Sequence, residues 1–140
     1  MRFATGFILL AAFPLIAAPV PKEIRAGDDQ RIVGVWTLTN AKYGDADFDS
    51  AVGTKWTLGA DGKAVRDRPN EGPGTATFLI DSKAAVKTFD WSTGEGNAFV
   101  GVYELDGDRF NVVLISKGRV RPTVCQPTEG GFYFEFKRDK

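Results

Sequence analysis

The chain has 140 residues, with 18 basic and 18 acidic side chains and no histidine. That length suits one domain with a real core, and the balanced charge gives no electrostatic ground for nucleic acid or an anionic membrane as a partner. The absence of histidine removes the commonest general base and the commonest metal ligand.

Met1–Ala18 has the build of a secretory signal peptide: Arg2, an apolar run from Phe3 to Ile16, then small residues. Leu15-Ile16-Ala17 and Ile16-Ala17-Ala18 are imperfect cleavage contexts, and Pro19 disfavours a cut directly after Ala18, so the cut is expected near Ala17. The competing reading is an uncleaved anchor, but the run is short for a membrane span and is broken by Pro14. No cysteine follows it to carry a lipid. The expectation is export, to the periplasm or the medium, with no membrane span in the mature chain. Residues 19–31 read as a linker, in which Ile24–Gln30 could form a short helical turn, and residues 32–140 as the domain proper.

Ile32–Ala41 predicts the first strand, with Trp36 and Leu38 on one face and Val35 and Thr37 on the other. Lys42–Ala51 is a polar loop with Asp45, Asp47 and Asp49 at alternate positions. A helix-flanked calcium loop would want glycine at Ser50 and a bidentate acid at Trp56, so a solvated acidic loop is the simpler reading. Val52–Ala60 is the second strand, with Trp56 and Leu58 sharing a face. Asp61-Gly62 suits a two-residue type I′ turn, which returns the chain through Lys63–Arg68 with Leu58 opposite Val65. Pro69–Gly74 reads as a breaker. Thr75–Asp81 places Phe78 and Ile80 on one face and Leu79 on the other. After a turn at Ser82–Ala85, Lys87–Trp91 places Phe89 and Trp91 together, with Thr88 and Asp90 opposite. Ser92–Gly96 turns the chain again.

Asn97–Ser116 reads as two strands around Asp106-Gly107. With that pair at the centre of a type I′ turn, Leu105 faces Asp108, Tyr103 faces Phe110 and Phe99 faces Leu114. One face then carries Phe99, Gly101, Tyr103, Leu105, Phe110, Val112 and Leu114. The other carries Val100, Val102, Glu104, Arg109, Asn111 and Val113. A slip of one residue would exchange the two faces. Arg119–Gln126 is a further predicted strand, restricted by Pro122 to an edge, a bulge or a strand entry. Cys125 is the single cysteine, so no intramolecular disulfide forms, and a thiol in an apolar segment reads as packing. Glu129-Gly130-Gly131 turns the chain into Phe132–Lys137, where Phe132, Phe134 and Phe136 share a face.

About eight strands at regular spacing, with no helix of three turns, predict an all-β antiparallel up-and-down barrel. Closure removes unpaired edges. The interior of such a barrel is filled by side chains or holds one small ligand.

Gly34-Val35-Trp36 resembles the lipocalin Gly-x-Trp signature. Together with Ile32-Val33, Phe89-Asp90-Trp91, Gly101–Asp108 and Arg121-Pro122, in that order, the chain resembles a lipocalin-like family of small, exported, uncharacterised bacterial proteins. The resemblance implies a lipocalin-like barrel whose tryptophan closes one end, with Arg121 or Arg138 packed across its ring. It implies ligand binding but carries no activity.

The candidate interior is Trp36, Trp56, Phe89, Phe99, Tyr103, Phe110 and Phe134, with Arg121 and the Tyr103 hydroxyl as placed polar groups. These rings either line a cavity for a small apolar or amphipathic molecule or simply fill the barrel, as close packing favours. In the second case the loops Lys42–Ala51 and Pro69–Gly74 would meet a protein partner. Catalysis is not expected. No serine or cysteine has a histidine partner, Gly-x-Ser-x-Gly is absent, and the carboxylate pairs Asp90/Glu95 and Asp106/Asp108 have no clear catalytic setting. No cofactor or metal is implied.

Overall fold

A computed structural model describes residues 27–94 and 96–140. The expected signal peptide over residues 1–18, residues 19–26 of the expected linker and Glu95 lie outside the described residues. Along most strands inward apolar side chains alternate with more exposed residues and share one interior, while Val102, Val113 and Tyr133 form a second buried cluster. The elements in order are a single helical turn α1 (Asp28–Arg31), β1 (Gly34–Tyr43), β2 (Ala46–Asp47), a 3-10 turn (Asp49–Ala51), β3 (Lys55–Leu58), β4 (Lys63–Arg68), β5 (Gly72–Asp81), β6 (Thr88–Ser92), β7 (Ala98–Asp106), β8 (Arg109–Ser116) and β9 (Phe132–Arg138). Every neighbouring pair from β1 through β3 to β9 is antiparallel, and β9 returns to pair with β1. The result is a closed eight-stranded up-and-down barrel, with β2 a two-residue appendage on β1. No helix among the described residues is long and apolar enough to cross a membrane.

Both Asp-Gly corners depart from the predicted geometry, with different consequences. At the β7–β8 turn Asp106 pairs with Arg109 and Leu105 with Phe110, so Gly107 and Asp108 are the central residues. Gly107 takes the positive φ of 60°, the pattern of a type II′ turn. The partner strand has moved by two residues, which preserves parity, and Phe99, Gly101, Tyr103, Leu105, Phe110, Val112 and Leu114 still share a face. At the β3–β4 turn Leu58 pairs with Ala64, not Val65. The loop is Ala60-Asp61-Gly62: the Gly62 N–H donates to Gly59 O at 3.1 Å, and the Gly59 N–H to Lys63 O at 2.9 Å. The Asp61 carboxylate accepts the Lys63 N–H at 3.0 Å and fixes this three-residue form. A one-residue change reverses parity, so Ala64 is 3% exposed and Val65 is 39% exposed.

Two further predictions are corrected. β5 runs through Gly72-Pro73-Gly74, expected as a breaker. That stretch pairs with β4 alone, because the β5–β6 ladder starts only at Thr77 opposite Ser92. Proline is tolerated on an edge that has one neighbour. Arg119–Gln126 is not a strand; apart from a bridge between Lys117 and Arg119 it crosses irregularly over the outside of the barrel. Cys125 packs there against Val102, Val113 and Tyr133, an apolar patch on the outer face that would otherwise be wet.

The lower end of the barrel is sealed. The Trp36 indole N–H donates to Ile32 O at 2.8 Å, and the Arg138 guanidinium lies 4.3 Å from the Trp36 ring centroid. Arg138 also donates to Val33 O at 3.0 Å and to Arg31 O, and contacts Asp108 at 3.4 Å. Of the two arginines considered for this stack, Arg138 makes it. Gly34 sits at φ +142°, and a Cβ there would lie 2.8 Å from an Arg138 terminal nitrogen. The glycine of Gly-x-Trp is therefore required by both the backbone and the guanidinium. Residues 27–31, expected as linker, belong to this plug. The nearly buried Asp28 carboxylate accepts from the Tyr103 hydroxyl and from Lys87 Nζ, each at 2.8 Å, and from Arg31.

Replacing Gly34 with Ala should lower stability by about 1–3 kcal/mol, read from urea unfolding; an unchanged midpoint would contradict the requirement. Burial raises the Asp28 carboxyl, but the bonds from Lys87, Arg31 and Tyr103 outweigh it and hold it lowered from 3.8 to about 2. Its contribution is therefore present above the unfolded value and lost as pH falls from about 4 to about 2. Asp28→Asn should cost roughly 2 kcal/mol at neutral pH, and the gap to the parent should close in acid. A gap that persists unchanged near pH 2 would refute this linkage.

Candidate functional site

Above the plug the barrel is solid. Trp36 lies 5.5 Å from Phe110 by ring centroids, Phe110 lies 5.4 Å from Phe136, and Phe136 lies 4.5 Å from Trp56. Phe89 fills the space between Phe110 and Trp56. The layer ends in a stacked pair, Trp56 on Trp91, 4.1 Å apart and within 14° of parallel. Offset aromatic pairs of this kind add to the free energy of burying the rings.

Over that indole pair a cavity of about 490 Å³ opens on one side. Its apolar surface comes from Leu38, Trp56, Trp91, Phe99, Leu114, Phe132 and Phe134. Polar groups come from Thr54, Arg66, Arg68, Thr75, Thr93 and Asn97, and no acidic side chain among the described residues lines it. An adjoining recess shares Phe99 and Phe132 and is bounded by Tyr43, Phe48, Ser116 and Gly130. The wall is notched beside the cavity, where Gly72–Ala76 of β5 has no partner in β6. The β6–β7 turn, closed by the Thr93 N–H donating to Asn97 O at 3.1 Å, brings Thr93 and Asn97 to that notch.

The inward row of β4 rises from buried Ala64 through Arg66 to Arg68. Arg66 pairs across the ladder with Gly74, and one of its terminal nitrogens lies beside that glycine. Arg68 lies 5.5 Å from the Phe48 ring centroid, and one of its terminal nitrogens is 3.4 Å from the exposed Glu71 carboxylate. Arg68 Nε and Thr93 Oγ1 are buried without a hydrogen-bond partner among the described residues. A buried polar atom left in that state costs about 1–3 kcal/mol. Two such atoms and two cations, with no acid among the described residues, are concentrated in the wall of one cavity with an aromatic floor.

The eight candidate residues divide into three groups. Trp56, Phe99 and Phe134 line the cavity. Trp36, Phe89, Tyr103 and Phe110 lie in the packed layer below it. Arg121 lies outside the barrel, correcting its assignment to the interior: it donates to Asp90 at 2.7 Å and to Gly101 O at 2.9 Å. The Tyr103 hydroxyl is engaged by Asp28, and burial together with that carboxylate pushes its pKa up. Burial pushes the Cys125 thiol up to about 12, which makes it unreactive at neutral pH. Asp108 is bound to Lys140 at 2.7 Å, and that hydrogen bond lowers its carboxyl. Asp47 pairs with Lys42 at 2.7 Å, and no group of three or more His, Cys, Asp or Glu among the described residues is placed to hold a metal ion.

Arg66 and Arg68 were hidden by the β3–β4 register. With Val65 opposite Leu58, the inward row would have been Lys63, Val65 and Asp67, and both arginines would have faced solvent. The Ala64/Val65 contrast tests the observed register directly. In a Cys125→Ser background, Val65→Cys should react readily with a thiol reagent and Ala64→Cys should be protected; the reverse order would refute the orientation of the arginines. No protein-family model, no curated protein and no solved structure matches this chain.

Proposed function

We propose that this protein is an exported lipocalin-like binding protein that holds a small amphipathic molecule at the open end of its barrel. The observation that carries the reading is the cavity of about 490 Å³ above the Trp56–Trp91 stack, with an aromatic floor and a few converging polar groups. Ligand sites typically combine these features at this scale. The Arg138–Trp36 stack at the opposite end supports the lipocalin-like resemblance, since the resemblance implies such a contact. Arginine, threonine and asparagine side chains in the cavity wall suit holding a molecule, and none of them is a general base at neutral pH. Binding without turnover is therefore the favoured activity.

A neutral naphthylamine fluorophore provides the test. The purified protein should enhance its emission saturably, at one site. Ala76→Trp, which places a large ring in the cavity wall, should abolish the signal, whereas Val65→Trp on the outer face should leave it unchanged. Absence of saturable binding to the parent protein would remove this function and support a barrel that acts through its surface.

A further inference from the structure

We infer that the ligand of this cavity is an amphipathic carboxylate, seated with its tail on the indole floor and its charged group between Arg66, Arg68 and Thr93. The inference rests on the reading of the cavity as a ligand site and specifies the chemistry the site selects.

The argument begins with charge. Among the described residues the lining contributes two guanidinium groups and no acid, and Asp67, between the two arginines in β4, has the opposite side-chain parity. Glu71 reaches a terminal nitrogen of Arg68, leaving Nε without a partner. Neighbouring cations in a partly apolar cavity repel each other and lose solvation, so an anion placed between them relieves both costs. The unpartnered groups are of two kinds. Arg68 Nε–H can only donate, whereas the Thr93 hydroxyl can donate or accept. A carboxylate at the rim accepts from the guanidinium N–H groups of Arg66 and Arg68, which line the cavity, and its planar pair of oxygens matches the guanidinium fork.

Direction follows from the gradient of polarity along the walls. The inward row of β4 passes from Ala64 to Arg66 and Arg68 toward the open end, and the β6 row passes from Phe89 and Trp91 to Thr93. Across the cavity Phe132 and Phe134 keep the β9 wall apolar to its top. The polar groups thus collect on one side of the rim, beside the β5–β6 notch, and the floor is purely aromatic. An alkyl or aryl tail fits the floor, and a charged head fits that side of the rim.

The test uses three molecules with the same tail. Decanoate, decanol and decylammonium compete for the bound neutral fluorophore at neutral pH. Decanoate should displace it at least about tenfold more tightly than decanol, and decylammonium should be the weakest of the three. In Arg66→Gln/Arg68→Gln the decanoate advantage should fall to about twofold, while fluorophore and decanol binding persist. Should the double variant fold poorly, the parent protein gives the same answer. The decanoate preference should weaken as salt rises, with decanol affinity unchanged. Equal displacement by decanoate and decanol would overturn the inference and leave the binding reading intact. A preference untouched by both salt and the double substitution would also overturn it. Failure of the fluorophore itself to bind is a different result, which removes the underlying reading.

Discussion

The contact between the Arg138 guanidinium and Trp36 is the constraint on which the interior depends. It joins the last strand of the barrel to the first and bonds the carbonyls of Arg31 and Val33, so the entering segment is held across the lower end. Asp28, Lys87 and Tyr103 fix the same segment from the other side. With that end sealed, the rings above it pack on a fixed base. Trp36, Phe89, Phe110 and Phe136 are almost fully withdrawn from water and leave little space between them. Protein interiors are normally filled in this way. The space that remains is at the other end, above the Trp56–Trp91 stack.

The two readings of the aromatic set therefore apply to different levels of one barrel. The lower part is filled by side chains, and the upper part is hollow. The upper part also departs from the rules of a stable interior. Among the described residues it carries two guanidinium groups with no acid in the lining and two buried polar atoms with no partner. Arg68 also contacts Phe48 and Glu71, but a buried polar atom left without a partner weakens the native state. Local violations of good packing concentrate where a protein binds something, and the proposed ligand chemistry rests on these residues rather than on the size of the cavity.

Much of this architecture was legible in the sequence because alternation is a parity signal. In β7–β8 the turn type was misjudged, yet the faces survived, because the strands were displaced by an even number of residues. In β3–β4 the displacement was odd, and the interior row was read as the exterior one. Residues 59–62 gave no basis for preferring two loop residues to three; the choice depends on the Asp61 side chain reaching the Lys63 N–H. A hint lay in Val65 and Asp67, since the rejected register would have put an aspartate between aromatic residues. Arg121 was misplaced for another reason. The Pro122 segment has the residue types of a strand, but Cys125 packs on the outer patch formed by Val102, Val113 and Tyr133, while Val120 and Val124 are exposed. Periodicity identifies a buried face without saying which side of a barrel wall covers it.

Amide chemical shifts recorded while decanoate is added to the protein test the central claim most directly, because they report on both ends of the barrel at once. The account predicts changes at Arg66, Arg68, Thr75, Thr93, Asn97 and Phe132, with Trp36, Tyr103 and Val112 unmoved. Changes centred on the sealed end or on the outer face around Arg121, or no saturable change at all, would contradict it.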